Sequence, residues 1–429
     1  MVNLLKKVVA LLFLSIALLS TYSFSYAQDQ LELFGESAVL IDYDSLEILY
    51  EKNPHEKLFP ASTTKIMTGI LALENGNLSD VVTIEKDVVD MTDGTHIALE
   101  PGEELTLGEL LDALLIESAN DAANAIAKHI SGSVDEFVDL MNEKAYSIGA
   151  LNTHFKNPSG LPDEDHLTTA FDLALIAKYA MDNEAFSDIV RNYEGRIEPT
   201  NKKDEVRYLN SSNRLLYSEE KIMVDDKAVA IKFEGVNGVK AGYTNAAQFC
   251  LVTSMERDGQ KLIAVSLKSN RNNIYTDIHK LLGFGLNNFT RTKIGFSGKF
   301  LDNFDIEDGI IAFVPGITKT DSFSVLNPEN MDDIEEVVVL TEGLKAPVSQ
   351  DEVIGRVQYV LDGKVLAESD VVSAMDIRAV KRGSLFSKLL DKWYFVLLGG
   401  FILLRSITLL NRRRRRKKRR RTRALYKIR

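Results

Sequence analysis

The order of apolar and polar positions along the chain divides it into segments of different period. Residues 38–42 and 47–51 are short runs rich in Val, Ile, Leu and Tyr, joined through Tyr43-Asp44-Ser45, and predict a strand pair. After Pro60 the period changes. Ile66, Met67, Thr68, Leu71 and Ala72 recur at helical spacing, and proline is tolerated at a helix start but not inside one, so a helix is predicted to begin near Ser62. Residues 81–84 read as a strand and 99–103, around Pro101-Gly102, as a turn leading into helical periodicity. Thr106 with Glu109 is a capping-box pattern that opens a helix over 107–116. The polar run 118–124 predicts a loop, followed by helices over 125–130 and 134–148, a loop over 157–163 and a helix over 169–181. Residues 227–233, 238–241, 248–257 and 261–268 read as strands, with Asp258-Gly259 making the last two a hairpin, and 272–289 as a closing helix.

Strands at both ends of a largely helical middle predict one sheet, assembled from both ends of a domain covering residues 28–290. From Thr292 the runs are short and alternating, at 310–314, 322–325, 334–340, 353–361 and 364–369, which predicts a small all-β domain over 291–380. The termini follow a different logic. Lys6 and Lys7 precede the apolar run 8–19 and the small-residue pattern Ser25-Tyr26-Ala27, a signal-peptide pattern over 1–27. Near the other end, a membrane-proximal segment over 381–392 carries Leu385, Phe386, Leu389 and Leu390 at amphipathic spacing. Residues 393–410 form an 18-residue apolar stretch opened by Trp393 and Tyr394, just long enough to span a bilayer, with Arg405 placed to snorkel. The basic run over 411–429 then reads as a cytoplasmic tail, which puts the body of the protein on the extracytoplasmic side.

Charge sharpens this division. Of the net −11, residues 1–27 carry +2 and 405–429 carry +14, so that 28–404 carry −27. An acidic body gives no reason to expect nucleic-acid binding, which rests on cationic contacts to phosphates. Cys250 is the single cysteine, so no disulfide forms within the chain, and its apolar surroundings mark it as a packing residue.

Candidate chemistry begins at Ser62 and Lys65. Three residues apart near a helix start, they share a face, where a lysine amine of lowered pKa can take the proton of a serine nucleophile. Ser-x-x-Lys recurs at Ser218 and Lys221, so the spacing alone does not identify a site. Ser118 and Asn120 stand between two apolar helices, where a loop presents side chains or merely caps helices, and Ser211-Ser212-Asn213 repeats the pattern. Lys240-Ala241-Gly242 lies on a predicted strand. No Gly-x-Ser-x-Gly or His-Glu-x-x-His is present, which argues against a Ser-His-Asp hydrolase and against metal hydrolysis.

Taken together, Ala61-Ser62-Thr63-Thr64-Lys65-Ile66-Met67-Thr68, Ser118-Ala119-Asn120-Asp121-Ala122 and Gly238-Val239-Lys240-Ala241-Gly242-Tyr243-Thr244 resemble the low-molecular-mass penicillin-binding proteins that act as serine-type D-alanyl-D-alanine carboxypeptidases. The resemblance implies an α/β (α+β) transpeptidase-like fold, an antiparallel sheet flanked by helices, and a trailing β-domain. It implies Ser62 as nucleophile, Lys65 as general base and Ser118 as proton relay. Asn120, Lys240, Gly242 and Tyr243 would bind substrate, with the backbone N–H groups of Ser62 and Tyr243 as oxyanion hole, and Arg271 would meet the substrate carboxylate. The implied substrate is the peptidoglycan stem peptide, β-lactam antibiotics are implied as covalent inhibitors, and no metal or organic cofactor is required. One position departs from the family: Ala241 stands where Thr or Ser is usual. That departure keeps two alternatives open, a D,D-endopeptidase and a catalytically weak wall-binding protein. A β-lactamase is disfavoured because no Glu-x-x-Leu-Asn follows Ser118.

Overall fold

The computed structural model describes residues 31–326, 328–380 and 393–425. The expected signal peptide, the membrane-proximal segment and the last residues of the basic tail lie outside the described residues. By contact the chain divides into two compact units. One runs to Ile294 and includes Ser322–Glu335 and Tyr359–Ala367; the other comprises Gly295–Asp321, Glu336–Gln358 and Glu368–Arg429.

The first unit is built on an antiparallel sheet of β1 (Ser37–Asp42), β2 (Ile48–Lys52), β9 (Val236–Thr244), β10 (Gln248–Arg257) and β11 (Gln260–Ser269), in the order β2-β1-β11-β10-β9. N-terminal β1 pairs with β11, so the sheet closes from both ends of the domain as the apolar pattern predicts. Every residue of β1 is buried, because the sheet is covered on both faces. Val39 and Ile41 enter one apolar cluster with Ile66, Met67, Ile126 and Leu173, whereas Ala38 and Leu40 enter another with Ile278, Leu281 and Leu282. These residues come from α1 (Lys65–Asn75), α4 (Asn120–Ser131) and α6 (Ala170–Met181) on one side and α8 (Asn273–Asn288) on the other. Helices on both faces of one sheet are the three-layer solution to burying two apolar sheet faces.

Local signals set several boundaries. Thr106 and Glu109 form a complete capping box at α3 (Leu107–Asp112). Ser133 and Thr169 cap α5 (Val134–Ile148) and α6 by accepting from Glu136 N and Asp172 N. Asp258 and Gly259 take positive φ of 54° and 79° in the β10–β11 turn, the geometry a two-residue hairpin needs.

Some expectations are corrected. The α-helix starts at Lys65, because Ala61–Thr64 form a 3-10 turn ahead of it. Asn120 begins α4 rather than lying in a loop, and the helix before it passes into a π-turn, Ala113–Glu117. The turn expected over 99–103 leads into a strand, β4 (Glu104–Thr106), paired with β3 (Val81–Thr83), and only then into α3. The strand expected over 227–233 is confined to β8 (Lys227–Ala230), hairpinned to the unexpected β7 (Lys221–Val224). Further unexpected elements are α2 (Lys86–Asp90), α7 (Glu184–Val190) and the hairpin of β5 (Glu194–Ile197) with β6 (Arg207–Asn210).

Beyond α8 come β12 (Thr290–Gly295), β13 (Phe300–Asp305), β14 (Phe313–Thr318), β15 (Ser322–Leu326), β16 (Glu335–Leu340), β17 (Val353–Leu361) and β18 (Lys364–Ser373). Five of them form the sheet β13-β14-β18-β17-β16. The run expected over 310–314 is displaced to β14. Finally, α9 (Trp393–Leu425) is a continuous helix whose stretch Tyr394–Lys417 contains a segment long and apolar enough to cross a membrane.

Candidate active site

Ser62 sits in the 3-10 turn that Pro60 opens, and Lys65 is the first residue of α1. Ala61 holds a φ of 51°, a conformation costly for a residue with a Cβ and one that concentrates at functional sites. Two glycines bring other elements onto this turn. A Cβ at Gly160 would fall 1.9 Å from Ala61 O, and one at Gly242 would fall 2.7 Å from Ser62 N. Only glycine permits such approach, so β9 and the 157–161 loop both press against the backbone of the serine turn.

The Lys65 amine is wholly buried and has three oxygen neighbours. Ser62 Oγ lies 3.0 Å away, Asn120 Oδ1 2.7 Å and the Ser159 carbonyl 2.6 Å. Burial drives its pKa well below the usual lysine value, the positive charge of Lys240 lowers it further, and the Asp121 carboxylate opposes both. Lys240 is itself buried on β9, where burial brings its pKa down to about 7 against the pull of Glu117. Its amine donates to the Ala241 carbonyl at 3.2 Å.

Ser118 follows the π-turn in the left-handed region, with φ of 68°, and its hydroxyl makes no hydrogen bond among the described residues. Asn120 is tied on its other side, donating through Nδ2 to Asp93 O at 2.5 Å. The expected residues Ser62, Lys65 and Asn120 thus form one hydrogen-bonded group, and Gly242 packs against it. Tyr243 lies next along β9, half exposed, its ring 4.5 Å from that of Phe249. Arg271 is exposed between β11 and α8, and among the described residues no hydrogen bond links it to Ser62 or Asn120. Ala241, half-buried, packs against the α8-side apolar cluster.

Several contributors were not singled out from the sequence. Asn157 Oδ1 accepts from the N–H groups of Ser159, Gly160 and Leu161 at 3.2, 2.7 and 3.1 Å, which shapes the loop that offers the Ser159 carbonyl to Lys65. Thr68 Oγ1 donates to Pro158 O at 2.6 Å, and buried His166 meets Thr64 Oγ1 at 2.9 Å. The turn-forming sequence Asn157-Pro158-Ser159-Gly160 was the available signal, since Asn side chains readily fold back on following N–H groups.

The surroundings of this group match known proteins. A family model described as D-alanyl-D-alanine carboxypeptidase matches residues 24–271, and one described as the C-terminal domain of penicillin-binding protein 5 matches residues 289–379. The chain is 33% identical over 408 residues to D-alanyl-D-alanine carboxypeptidase DacF of Bacillus subtilis, covering 91% of this chain and 99% of that protein. The solved structure of penicillin binding protein 5 from Haemophilus influenzae is similar with a TM-score of 0.65 at 27% identity, over 81% of this chain and 99% of that one. A mutant of the Streptomyces K15 DD-transpeptidase is similar with a TM-score of 0.54 at 27% identity, over 60% of this chain and 99% of that one. On its matched length and this relationship along nearly the whole chain, the protein belongs to the D-alanyl-D-alanine carboxypeptidase family.

Proposed function

We propose that the protein is a serine D-Ala-D-Ala carboxypeptidase that trims peptidoglycan pentapeptide stems through an acyl-enzyme on Ser62. The observation that carries this reading is the set of partners around the Lys65 amine. A neutral amine has two N–H donors and one lone pair. The Asn120 Oδ1 and Ser159 O atoms only accept, so they take the two N–H groups, and the lone pair is left facing the Ser62 hydroxyl, which can donate. The amine is therefore oriented as a base, and its lowered pKa favours the neutral form that this role needs.

Ser62 Oγ, losing its proton to Lys65, attacks the carbonyl carbon between the two terminal D-alanines. The oxyanion is met by the N–H groups of Ser62 and Tyr243, donors typically worth about 2.7–4 kcal/mol each. As the C–N bond breaks, the proton passes by way of Ser118 to the departing amine, releasing D-alanine. Water then attacks the ester and frees Ser62. Lys240, partly charged near neutral pH, attracts the terminal carboxylate, assisted by Arg271, while Asn120 holds the substrate amide. β-Lactams would acylate the same serine. The alternative of a weak wall-binding protein rests on Ala241, which removes one hydroxyl from the carboxylate site.

The domain plan follows the same reading: a catalytic domain over 28–290, a β-domain over 291–380 serving as spacer, and α9 as a membrane anchor with the body outside a bacterial cell. The apolar stretch of α9 followed by its basic end supports this orientation. The test is mass spectrometry of the full chain in detergent with a D-Ala-D-Ala peptide and with penicillin, beside Ser62→Ala. Free D-alanine and a penicilloyl adduct on Ser62, both lost in the variant, are expected. An adduct without D-alanine release would support the binding-protein alternative, and no adduct would refute the Ser62 assignment.

A further inference from the structure

One buried carboxylate beside the serine group has no part in the chemistry above. Asp121, 2% exposed, is the second residue of α4, directly after Asn120. Its oxygens accept from Ile97 N at 3.2 and 3.1 Å, from Leu99 N at 3.0 Å and from Ala122 N at 2.9 Å. Two of these donors belong to the 92–99 segment, which runs past the site before β4. The rest of that segment is also fastened to the first turn of α4. Thr92 Oγ1 accepts from Asn124 Nδ2 at 3.2 Å, Asp93 O from Asn120 Nδ2 at 2.5 Å, and Thr95 O from Asn120 N at 2.7 Å. Residues 93–96 are exposed, while Ile97 and Leu99 are buried in the core. Asn120 is therefore held between two partners, Lys65 on one side and a strap on the other, and the strap is held by Asp121.

We propose that Asp121 is a positioning residue that serves the site twice: it clamps the 92–99 strap that fixes Asn120 against Lys65, and it places a fixed negative charge beside the Ser62–Lys65 pair. The proposal rests on the assignment of Ser62 and Lys65 as nucleophile and base. Its first part is geometric. A carboxylate accepts from several N–H groups at once, whereas an amide in its place turns an NH2 towards one of them, leaving a buried donor unpaired. Its second part is electrostatic. The charged or titratable groups facing Lys65 are Lys240 on β9, Asp121 on α4 and His166 before α6; the first lowers the proton affinity of Lys65, and Asp121 alone raises it.

Asp121→Asn and Asp121→Glu separate the two parts. Three readings are taken on the full chain in detergent: hydrogen exchange of the Ile97 and Leu99 amides, the second-order rate of penicillin acylation, and its pH profile. In Asp121→Asn, exchange at both amides is expected to rise and acylation to fall, each at least tenfold, and the acid limb of the profile to move to lower pH. A merely structural brace would slow the reaction without moving that limb. In Asp121→Glu the charge remains, so the limb should stay at the wild-type position while the longer side chain still loosens the strap and slows acylation. Unchanged amide exchange, unchanged acylation in either variant, or an acid limb that stays put in Asp121→Asn overturns the proposal; should that variant not fold, Asp121→Glu decides it through exchange and rate. Failure of the wild type to form a Ser62 adduct would instead refute the serine assignment, with strap exchange still reporting on Asp121.

Discussion

Replacing Asn157 by Ala tests whether the aim of the Lys65 lone pair depends on a residue that touches neither Lys65 nor substrate. The side chain accepts from three backbone N–H groups and from Ser159 Oγ at 3.1 Å, and donates to Leu161 O at 2.9 Å. With each bond worth about 0.5–1.5 kcal/mol net, and part of the loop able to rehydrate, its loss should cost roughly 3 kcal/mol. In a domain of this size that corresponds to a fall in Tm of about 6–12 °C. The catalytic consequence follows from geometry. Once the loop relaxes, the Ser159 carbonyl leaves Lys65, one N–H loses its acceptor, and the amine can rotate its lone pair away from Ser62. Acylation by penicillin, followed by stopped-flow well below the melting range, should slow about tenfold, the kinetic equivalent of about 1.4 kcal/mol. Asn157→Asp restores the acceptor for all three N–H groups and should recover most of the rate. The reasoning fails if Asn157→Ala lowers Tm as stated yet acylates Ser62 at the wild-type rate.

Other expectations draw on different parts of the molecule. Asp277 is fully buried and accepts from Phe34 N, Gly35 N, Ser266 Oγ and Ser269 Oγ, so Asp277→Asn should destabilise the first unit by roughly 3–5 kcal/mol; a change in Tm under 2 °C would contradict this. Burial lowers His166 from 6.5 to about 4, so below pH 6.5 the unfolded chain takes the proton first. Stability should therefore decline as pH falls from about 6.5 to about 4, by about 3 kcal/mol, and a melting profile of His166→Gln should lack that component. Ala241→Thr should raise kcat/KM on a D-Ala-D-Ala peptide about tenfold or more, since a hydrogen bond to a charged group is worth about 1.5–3 kcal/mol; an unchanged value would mean that the carboxylate is held without that hydroxyl.

The fold was legible wherever a single physical signal governed an element. Residues 134–148 and 248–257 have their observed limits because caps, glycine and a hairpin turn bound clean apolar periods. Where tertiary partners decide, the local signal misled. The polar run from Ser118 to Asn124 reads as a loop, because Ser, Asn and Asp compete for backbone hydrogen bonds. In the folded chain the side chains of Asn120, Asp121 and Asn124 are engaged elsewhere, with Lys65, Asp93 O, the Ile97 and Leu99 amides and Thr92 Oγ1, so α4 can start at Asn120. The hairpin of β5 and β6 escaped notice because each strand buries only one residue fully, Ile197 and Leu209, too few to make an alternation.

The proposed site was legible as three motifs, and the structure shows how two of their duplicates differ from it. Ser218 and Lys221 have the spacing of Ser62 and Lys65, yet Lys221 is exposed on β7 and Ser218 Oγ accepts from Arg214 instead. Asn213 repeats the Ser-x-Asn pattern but spends its side chain capping the 3-10 turn Arg214–Leu216. What separates the Ser62 and Lys65 copy is burial in the company of acceptors. A lysine amine withdrawn from water is held neutral, with a lone pair free to take a serine proton, only if its N–H groups are satisfied by groups that carry no full charge, and carbonyl oxygens from residues 120 and 159 meet that condition. Those residues are 55 and 94 positions away from Lys65, which is why no local pattern could announce them. A carboxylate in direct contact would have kept the lysine protonated. Asp121 instead stands one residue beyond the contacting amide, close enough to be felt and too far to form an ion pair with the base.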